Sequence, residues 1–192
     1  MREMATHRFS NVVGFDDAPF ERTERGRVRI VGAVFASSRF DGALIGSVQK
    51  DGDDATDELI RLVGGSHFAE HVQTVLLQGI AFGGFNVVDL ARLHGELGLP
   101  VLVVARRAPN LVAIREALLH RVPGGAAKWH LIEAAGPMER LAGVFVQRAG
   151  LSAESAEALL RRFALHSAIP EPLRVAHIIA GAVGRGASRG RV

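Results

Sequence analysis

Polar side chains follow two apolar segments of this chain that are predicted to be buried strands. Asp16 and Asp17 come directly after residues 11–15, and Gln78 comes directly after residues 72–77. In an open α/β sheet the carboxyl ends of neighbouring parallel strands meet at one crevice, so side chains there can share a ligand. We therefore expect Asp16 or Asp17 to face Gln78 across such a crevice.

A second acidic group, Asp51, Asp53 and Asp54, precedes a predicted helix and is expected at the same edge of the sheet. Carboxylates suit Mg²⁺ or Mn²⁺, and two such ions about 3.5–4 Å apart support phosphodiester hydrolysis. The pattern predicts a divalent-metal nuclease site, in which Gln78 stands where a third carboxylate is expected. Its candidate metal ligands are Asp16, Asp17, Asp53 and Asp54, and its candidate catalytic residues are Asp16, Asp53, Asp54 and Gln78. The alternative for the second group is helix capping and turn formation.

A glycine-rich segment, residues 79–86, follows Gln78 and precedes a predicted helix. Such a segment can bring backbone N–H groups close to a phosphate or a base. It matches neither the dinucleotide fingerprint nor the phosphate-binding loop. The alternative is a tight turn that places Phe82 and Phe85 in the core. The candidate substrate-binding residues here are Gly79, Gly83, Gly84, Phe85 and Asn86.

Histidines and arginines near the C-terminus are further candidates for contact with a substrate. His177 shares a predicted helix with Arg174, and both are candidate substrate-binding residues as a proton carrier and a phosphate clamp. A packing role is the alternative for His177 and for His166. No arrangement of serine, histidine and aspartate for nucleophilic catalysis is recognisable.

Five strands and several helices are predicted to position these residues. Residues 28–36 and 43–49 are joined by a short turn, which favours an antiparallel hairpin, and residues 11–15 connect to it through a polar loop. Helices marked by Leu59, Leu93 and Leu118 then alternate with the strands 72–77 and 101–105, which predicts parallel pairing with right-handed crossovers.

The order of three strands followed by alternating helices and strands is that of the ribonuclease H-like architecture. We therefore predict a mixed five-stranded α/β sheet, with three antiparallel strands, then parallel strands, and helices on both faces. Residues 129–132 and 144–147 are compatible with short strands or with helix. Residues 168–172, which contain Pro170 and Pro172, are expected to stay out of helix before a last helix near residues 173–183. Residues 1–192 form one predicted domain, with a flexible Arg/Gly tail at 184–192.

Composition limits the classes of protein to which this chain can belong. It has 192 residues, no cysteine, 48% apolar residues and a net charge of +3, with the basic residues nearly all arginine. No run of about 18 uncharged apolar residues is present, and residues 1–8 lack the apolar core of a signal peptide. These features predict a cytoplasmic protein without disulfides or membrane spans, and the arginines at 185, 189 and 191 are compatible with nucleic-acid contact.

Five segments together resemble the endonuclease dU family (formerly domain of unknown function 99), a relative of endonuclease V. They are GFDDAPF (residues 14–20), DGDDAT (51–56), QGIAFGGFNVVD (78–89), GLPV (98–101) and IPEPLRVAH (169–177). Endonuclease V enzymes have a ribonuclease H-like fold and cleave DNA or RNA beside a deaminated base with Mg²⁺. The resemblance implies uracil in DNA as the target.

The resemblance also assigns roles to individual residues. Asp16 matches the first metal carboxylate of endonuclease V, Asp53 or Asp54 lies near the second, and Gln78 replaces the third. The aromatic wedge loop of endonuclease V has no clear counterpart, and the chain has no tyrosine.

Three functions remain open from the sequence. The first is a nuclease dependent on Mg²⁺ or Mn²⁺ that acts on DNA, with RNA as the alternative polymer. The second is a nucleic-acid-binding protein on a nuclease scaffold that Gln78 has weakened or inactivated. The third is a structural or regulatory subunit without a role on nucleic acid.

Overall fold

A seven-stranded mixed sheet forms the centre of the protein in a computed structural model that describes residues 9–21, 23 and 25–187. The strand order is β3-β2-β1-β4-β7-β9-β8, and β5 and β6 form a separate two-stranded ribbon. The strands are β1 Asn11–Asp17, β2 Arg27–Ala36, β3 Arg39–Gln49, β4 Thr74–Gln78, β5 Ala81–Phe82, β6 Asn86–Val87, β7 Val101–Ala105, β8 Glu139–Leu141 and β9 Val144–Ala149. The helices are α1 Ala55–Gly64, α2 Leu90–Leu97, α3 Leu111–Arg121, α4 Gly125–Ala134, α5 Ala153–Phe163 and α6 Glu171–Arg185.

The strand pairing confirms the predicted topology for the first five strands of the sheet. β1, β2 and β3 pair antiparallel, and β4 pairs parallel with both β1 and β7. The predicted number of five strands is too small, because β9 and β8 extend the sheet antiparallel beyond β7. Residues 144–147 belong to β9, whereas residues 129–132 lie in α4. Apolar runs of three or four residues carry too little periodicity to distinguish the two states.

Helices cover both faces of the sheet, and the two-residue period of a strand divides its side chains between them. Val13 and Phe15 of β1 pack in one core with residues of α1 and α2. Val12 of β1 packs in the opposite core with residues of α5 and α6. Asp16 therefore faces the α5/α6 side, and Asp17 faces the α1/α2 side.

Helix α6 lies close to β1 because Gly14 has no side chain. A Cβ atom at Gly14 would lie 2.7 Å from the carbonyl carbon of Pro172 and 2.8 Å from the nitrogen of Leu173. α6 begins at Glu171 with Pro172 in its first turn, so the expectation that both prolines lie outside the helix is wrong for Pro172. Proline is tolerated there because first-turn N–H groups have no partner within the helix.

The end of α6 changes the predicted limits of the C-terminal tail. Gly184 and Arg185 belong to the helix, and Gly186 caps it with a left-handed backbone. Residues 188–192, including two of the three tail arginines, lie outside the described residues. Within the described part of the chain, no helix has both the length and the apolar character needed to cross a membrane.

Candidate active site

Asp16 is buried at the end of β1 and is paired with His177 of α6. Its Oδ2 atom lies 2.7 Å from Nδ1 of His177, and its Oδ1 atom accepts a hydrogen bond from the backbone N–H of Asp17 at 2.9 Å. The hydrogen bond to Asp16 raises the pKa of His177. The imidazole therefore keeps its proton to higher pH than an isolated histidine, and the side chain is 68% exposed, so it can meet a ligand. This contact brings together one predicted metal ligand and one predicted substrate-binding residue.

Gln78 lies beside Asp16 at the same edge of the sheet. Phe15 of β1 is in register with Leu77 of β4, so the next residues, Asp16 and Gln78, are adjacent at the two strand ends. Paired residues of adjacent strands point to the same face. Gln78 is half-buried there and offers a neutral amide oxygen rather than a carboxylate.

Arg106 joins this group from the neighbouring strand end, and sequence reasoning missed it. It is exposed and follows Ala105, the last residue of β7. It lies close enough to His177 that its positive charge opposes the rise in the pKa of that histidine. The signal in the sequence was its place after a buried strand, where Asp16 and Gln78 also stand.

Asp17 faces the opposite side of the sheet from Asp16. Its Oδ2 atom accepts a hydrogen bond from the N–H of Gly83 at 2.7 Å. Burial is the main cause that raises the pKa of Asp17 to about 6. The two adjacent carboxylates therefore bind different elements: Asp16 contacts α6, and Asp17 contacts the glycine turn.

The glycine turn connects β5 to β6 and separates Asp17 from the second acidic group. Gly83 accepts a hydrogen bond from the N–H of Asp51 at 2.9 Å, and Asp51 Oδ1 accepts from the N–H of Phe85 at 2.8 Å. Gly84 has a φ of 92°, and a Cβ there would lie 2.4 Å from Asp51 Oδ1. The segment, for which a tight strand-to-helix turn is the alternative to a phosphate- or base-binding loop, is a small hairpin held between Asp17 and Asp51.

Hydrogen bonds of Asp54 and Asn86 connect β3, α1 and β6. Asp54 Oδ1 accepts from the N–H of Gln49 at 2.9 Å and from Nδ2 of Asn86 at 2.6 Å, and Oδ2 pairs with Arg27 at 3.0 Å. Asn86 Oδ1 in turn accepts from the N–H of Ala55 at 2.9 Å. Asp54 occupies the cap position of α1 but makes no side-chain capping bond. The first N–H group of the helix, that of Ala55, is instead bound by Asn86.

Lys128 of α4 is a buried cation that sequence reasoning also missed. Its Nζ donates to the main-chain oxygen of Asp51, and the charges of Asp51 and Asp53 face it. Burial lowers the pKa of Lys128. A single lysine in an apolar-rich helix gives no sequence signal, because its partner is 77 residues away.

The predicted four-carboxylate metal cluster does not assemble from the described side chains. Within residues 9–21, 23 and 25–187, no three His, Asp or Glu side chains converge as a ready-made metal site. Asp16 with Gln78 remains a fitting pair for one Mg²⁺, because this ion is often held by one or two protein oxygens plus water and substrate phosphate. Asp53 and Asp54 are not brought together with Asp16, which leaves their predicted metal role untested.

Arg174, predicted to clamp substrate phosphate, is paired with a buried carboxylate in the same helix. Its Nε and Nη2 atoms donate to the two oxygens of Glu171 at 2.7 and 2.6 Å. Nε2 of His166 lies 3.9 Å from the same carboxylate. The Arg174 contact stabilises the start of α6. The His166 side chain is 66% exposed, so the packing alternative for His166 stays a prediction.

An apolar cavity of about 450 Å³ opens next to the glycine hairpin. Gly79, Gly84 and Phe85 line it, and so do residues of the α3–α4 pair, which places three predicted substrate-binding residues at one cavity. Cavities of this volume hold small organic groups. Further lining residues are Ile80, Ala105, Pro109, Leu111, Trp129, Glu133 and Gln147.

Comparison with known proteins identifies relatives over nearly the whole chain. Residues 8–184 match the family described as Endonuclease dU. A UPF0215 protein of Deinococcus radiodurans is 60% identical over 184 residues, covering 96% of this chain and 94% of the relative. A UPF0215 protein of Methanothermobacter thermautotrophicus is 43% identical, covering 93% and 90%.

Solved structures show the same fold. A protein of unknown function from Archaeoglobus fulgidus superposes with a TM-score of 0.85 at 34% identity, covering 92% of this chain and 99% of that one. Ciona intestinalis endonuclease V, in complex with a 24mer DNA containing an inosine, gives 0.55 at 15% identity, covering 88% and 83%. The latter similarity shows the ribonuclease H-like fold alone. By its family match and its relatives, the chain belongs to the Endonuclease dU family.

Proposed function

We propose that this protein is a divalent-metal-dependent endonuclease that cleaves a phosphodiester bond in DNA beside a deaminated base. The observation that carries the proposal is the Asp16–His177 pair, which lies at the strand edge where Gln78 ends β4 and Arg106 follows β7. Uracil is the target base that the family implies. The endonuclease V neighbours support a nuclease scaffold.

Asp16 and the amide oxygen of Gln78 would hold Mg²⁺ or Mn²⁺. When bound, such an ion lowers the pKa of water and stabilises charge on phosphate oxygens. His177 holds a proton beside the same carboxylate and can donate a hydrogen bond to a phosphate oxygen or a proton to the leaving oxygen. Arg106 presents a guanidinium suited to two phosphate oxygens.

The cavity beside the hairpin would receive the target base after it leaves the stack. A base inside a duplex must be extruded before its edges can be read. Trp129 and Phe85 offer aromatic surfaces, and the open space beside Gly79, where nothing lies within 4 Å of the Cβ position, permits close approach of a planar ring. Glu133 and Gln147 are the polar side chains that would contact the edge of the base.

The experiment is a nicking assay on oligonucleotides that contain uracil, inosine or no lesion, in DNA and in RNA, with Mg²⁺ or Mn²⁺. Wild type is compared with Asp16→Ala and with a matched control, Asp41→Ala. The Asp41 carboxylate pairs with Arg39 at the start of β3, the end of that strand that is distant from Asp51. Lesion-dependent nicking that Asp16→Ala abolishes and Asp41→Ala retains supports the proposal. Nicking by Asp16→Ala at the wild-type rate would reject the proposal.

A nucleic-acid-binding protein without cleavage activity is the second candidate. The neutral Gln78 and the lack of three converging metal-binding side chains in the described residues favour this alternative. This alternative predicts that the wild-type protein binds DNA that contains a lesion and leaves both strands uncut. Acquisition of nicking by Gln78→Asp would then show that the missing charge is the cause.

A further inference from the structure

We infer that Asp17 is a positioning residue that connects the cavity to Asp16, so that a base held in the cavity sets the position of the Asp16 carboxylate. This inference rests on the proposed function, because the base in the cavity is part of that function. It assigns to Asp17 a role other than the predicted one of metal ligand, since its side chain faces the opposite side of the sheet from Asp16.

The cavity and the Asp16–His177 pair lie on opposite sides of the sheet. Gln147 of β9 lines the cavity, whereas its neighbour Val146 packs in the core with residues of α5 and α6. Successive side chains of a strand point to opposite faces, so the cavity lies on the α1/α2 side, which is also the side of Asp17. Asp16 faces the α5/α6 side, and the edge of the sheet therefore separates its carboxylate from a base in the cavity.

Asp17 bridges this edge with its main chain and its side chain. Its backbone N–H donates to Oδ1 of Asp16 at 2.9 Å. Its Oδ2 atom accepts from the N–H of Gly83 at 2.7 Å on the other side of the sheet. Gly83 immediately precedes Gly84 and Phe85, which line the cavity. A displacement of the hairpin therefore reaches the Asp16 carboxylate through a single residue.

Asp51 and Lys128 join the hairpin to the other wall of the cavity. The N–H of Asp51 donates to the main-chain oxygen of Gly83 at 2.9 Å, and Asp51 Oδ1 accepts from the N–H of Phe85 at 2.8 Å. The main-chain oxygen of Asp51 accepts from Nζ of Lys128, which precedes the cavity-lining Trp129 in α4. The spacing of the two walls is thus fixed at Asp51, and a base that contacts either wall acts on the hairpin.

The hairpin has little room to move without these partners. A Cβ atom at Gly83 would lie 3.1 Å from Cγ2 of Val48, and one at Gly84 would lie 2.4 Å from Oδ1 of Asp51. Because closely packed atoms do not compress, a base that displaces one wall displaces the hydrogen-bonded groups as well. Contiguous contacts provide a route for coupling between two sites, and its demonstration requires a signal at both ends.

The test follows both ends of this connection while deoxyuridine, which lacks a phosphate, is added to the full-length protein in metal-free buffer. Trp129 is the one tryptophan of the chain and lines the cavity, so its fluorescence reports occupancy. The chemical shifts of the His177 ring protons at constant pH report the surroundings of Asp16. Because the nucleoside carries no phosphate, a change at His177 does not arise from a bound anion.

Three variants are compared with wild type. Asp17→Ala removes the acceptor for the N–H of Gly83, whereas Asp17→Asn keeps an oxygen atom that can accept this hydrogen bond. Asp41→Ala is the matched control, because the Asp41 carboxylate pairs with Arg39 at the start of β3. Nicking of uracil-containing and undamaged DNA by the same proteins is then measured with Mg²⁺ or Mn²⁺.

We expect deoxyuridine to change the Trp129 fluorescence and the His177 shifts of wild type with the same half-saturating concentration. The response of Trp129 should remain in Asp17→Ala, while that of His177 should be lost. Asp17→Asn and Asp41→Ala should keep both responses. The preference for uracil-containing over undamaged DNA should fall at least about fivefold in Asp17→Ala, the low end of ordinary coupling between two sites, and recover in Asp17→Asn.

A His177 response that persists in Asp17→Ala, or a wild-type Trp129 response without one at His177, would overturn the connection and leave the nuclease standing. Loss of both responses in Asp17→Ala would also overturn it, because Asp17 would then build the cavity rather than connect it to Asp16. No Trp129 response in wild type would reject the connection together with the base cavity. Coupled responses in a protein that does not nick DNA would keep the connection and reject cleavage.

Discussion

Nδ1 of His177 lies 2.7 Å from Oδ2 of Asp16, although 161 residues separate them in the chain. The contact depends on Gly14, whose missing side chain lets the start of α6 lie against β1. Asp16 is buried, while the His177 side chain is mostly exposed. One end of the pair is therefore fixed by the sheet and the other is available to a ligand.

Replacement of Asp16 by Asn should lower the pKa of His177 toward its ordinary value. The hydrogen bond and negative charge of Asp16 raise that pKa, and Asn supplies no charge. The measurement is an NMR titration of the His177 ring protons in metal-free buffer, which does not depend on activity. Asp41→Asn should leave the titration unchanged, and an unshifted His177 in Asp16→Asn would contradict the pair.

Gln78→Glu should lower the Mg²⁺ concentration needed for half-maximal nicking by at least about tenfold. A carboxylate about 4 Å from a cation contributes several kcal/mol at an effective dielectric constant near 20, and about 1.4 kcal/mol is tenfold in affinity. Gln73→Glu is the matched control, because Gln73 lies before β4 and its side-chain oxygen accepts from the N–H of Ser10. An unchanged Mg²⁺ requirement in Gln78→Glu would place the metal elsewhere.

Sequence patterns predicted the strands of the sheet but not the side-chain contacts between residues that are far apart in the chain. The first five strands of the sheet could be predicted, because apolar runs bounded by turn residues and alternating with helical patterns indicate buried strands. The two-residue period of a strand also implied that Asp16 and Asp17 face opposite sides, which excludes a cluster of both. The partners of Asp54, Lys128 and His177 could not be chosen, since each depends on a tertiary contact across 32 to 161 residues.

Lys128→Met should destabilise the protein by about 1–3 kcal/mol, the usual loss when a buried group loses its partner. Methionine keeps the volume, but the main-chain oxygen of Asp51 loses a donor and the charges of Asp51 and Asp53 lose their neighbouring cation. Urea unfolding measures the difference. Lys50→Met is the control, because Lys50 is only half-buried, and a loss as large there would contradict a specific role for Lys128.

Gly84→Ala should destabilise the hairpin more than Gly79→Ala does. Both glycines have positive φ, so both substitutions add backbone strain of about 1–3 kcal/mol. Only at Gly84 would the new Cβ meet Asp51 Oδ1, at 2.4 Å, while at Gly79 nothing lies within 4 Å. The comparison of free energies of unfolding isolates this clash, and equal losses would show that Asp51 moves freely.

Arg174→Met should destabilise the protein near neutral pH and much less in acid. Arg174 lowers the pKa of the Glu171 carboxyl through its side-chain hydrogen bonds. A carboxyl whose pKa is lowered by folding contributes stability that is present above its unfolded value, about 4.5, and is lost as the pH falls through the folded value. At neutral pH the variant leaves a buried carboxylate without its bidentate partner.

The expected loss is about 1–3 kcal/mol at pH 7, kept below the figure for a fully buried pair because the Arg174 side chain is 35% exposed. As the pH falls through the unfolded value of about 4.5 the difference from wild type should shrink, since Glu171 becomes protonated in the variant before it does in the wild type. Thermal unfolding on both sides of this pH measures the effect, with Glu171→Gln as the variant that lacks the titrating group. If Arg174→Met instead weakened DNA binding at unchanged stability, its predicted role as a phosphate clamp would replace the structural one.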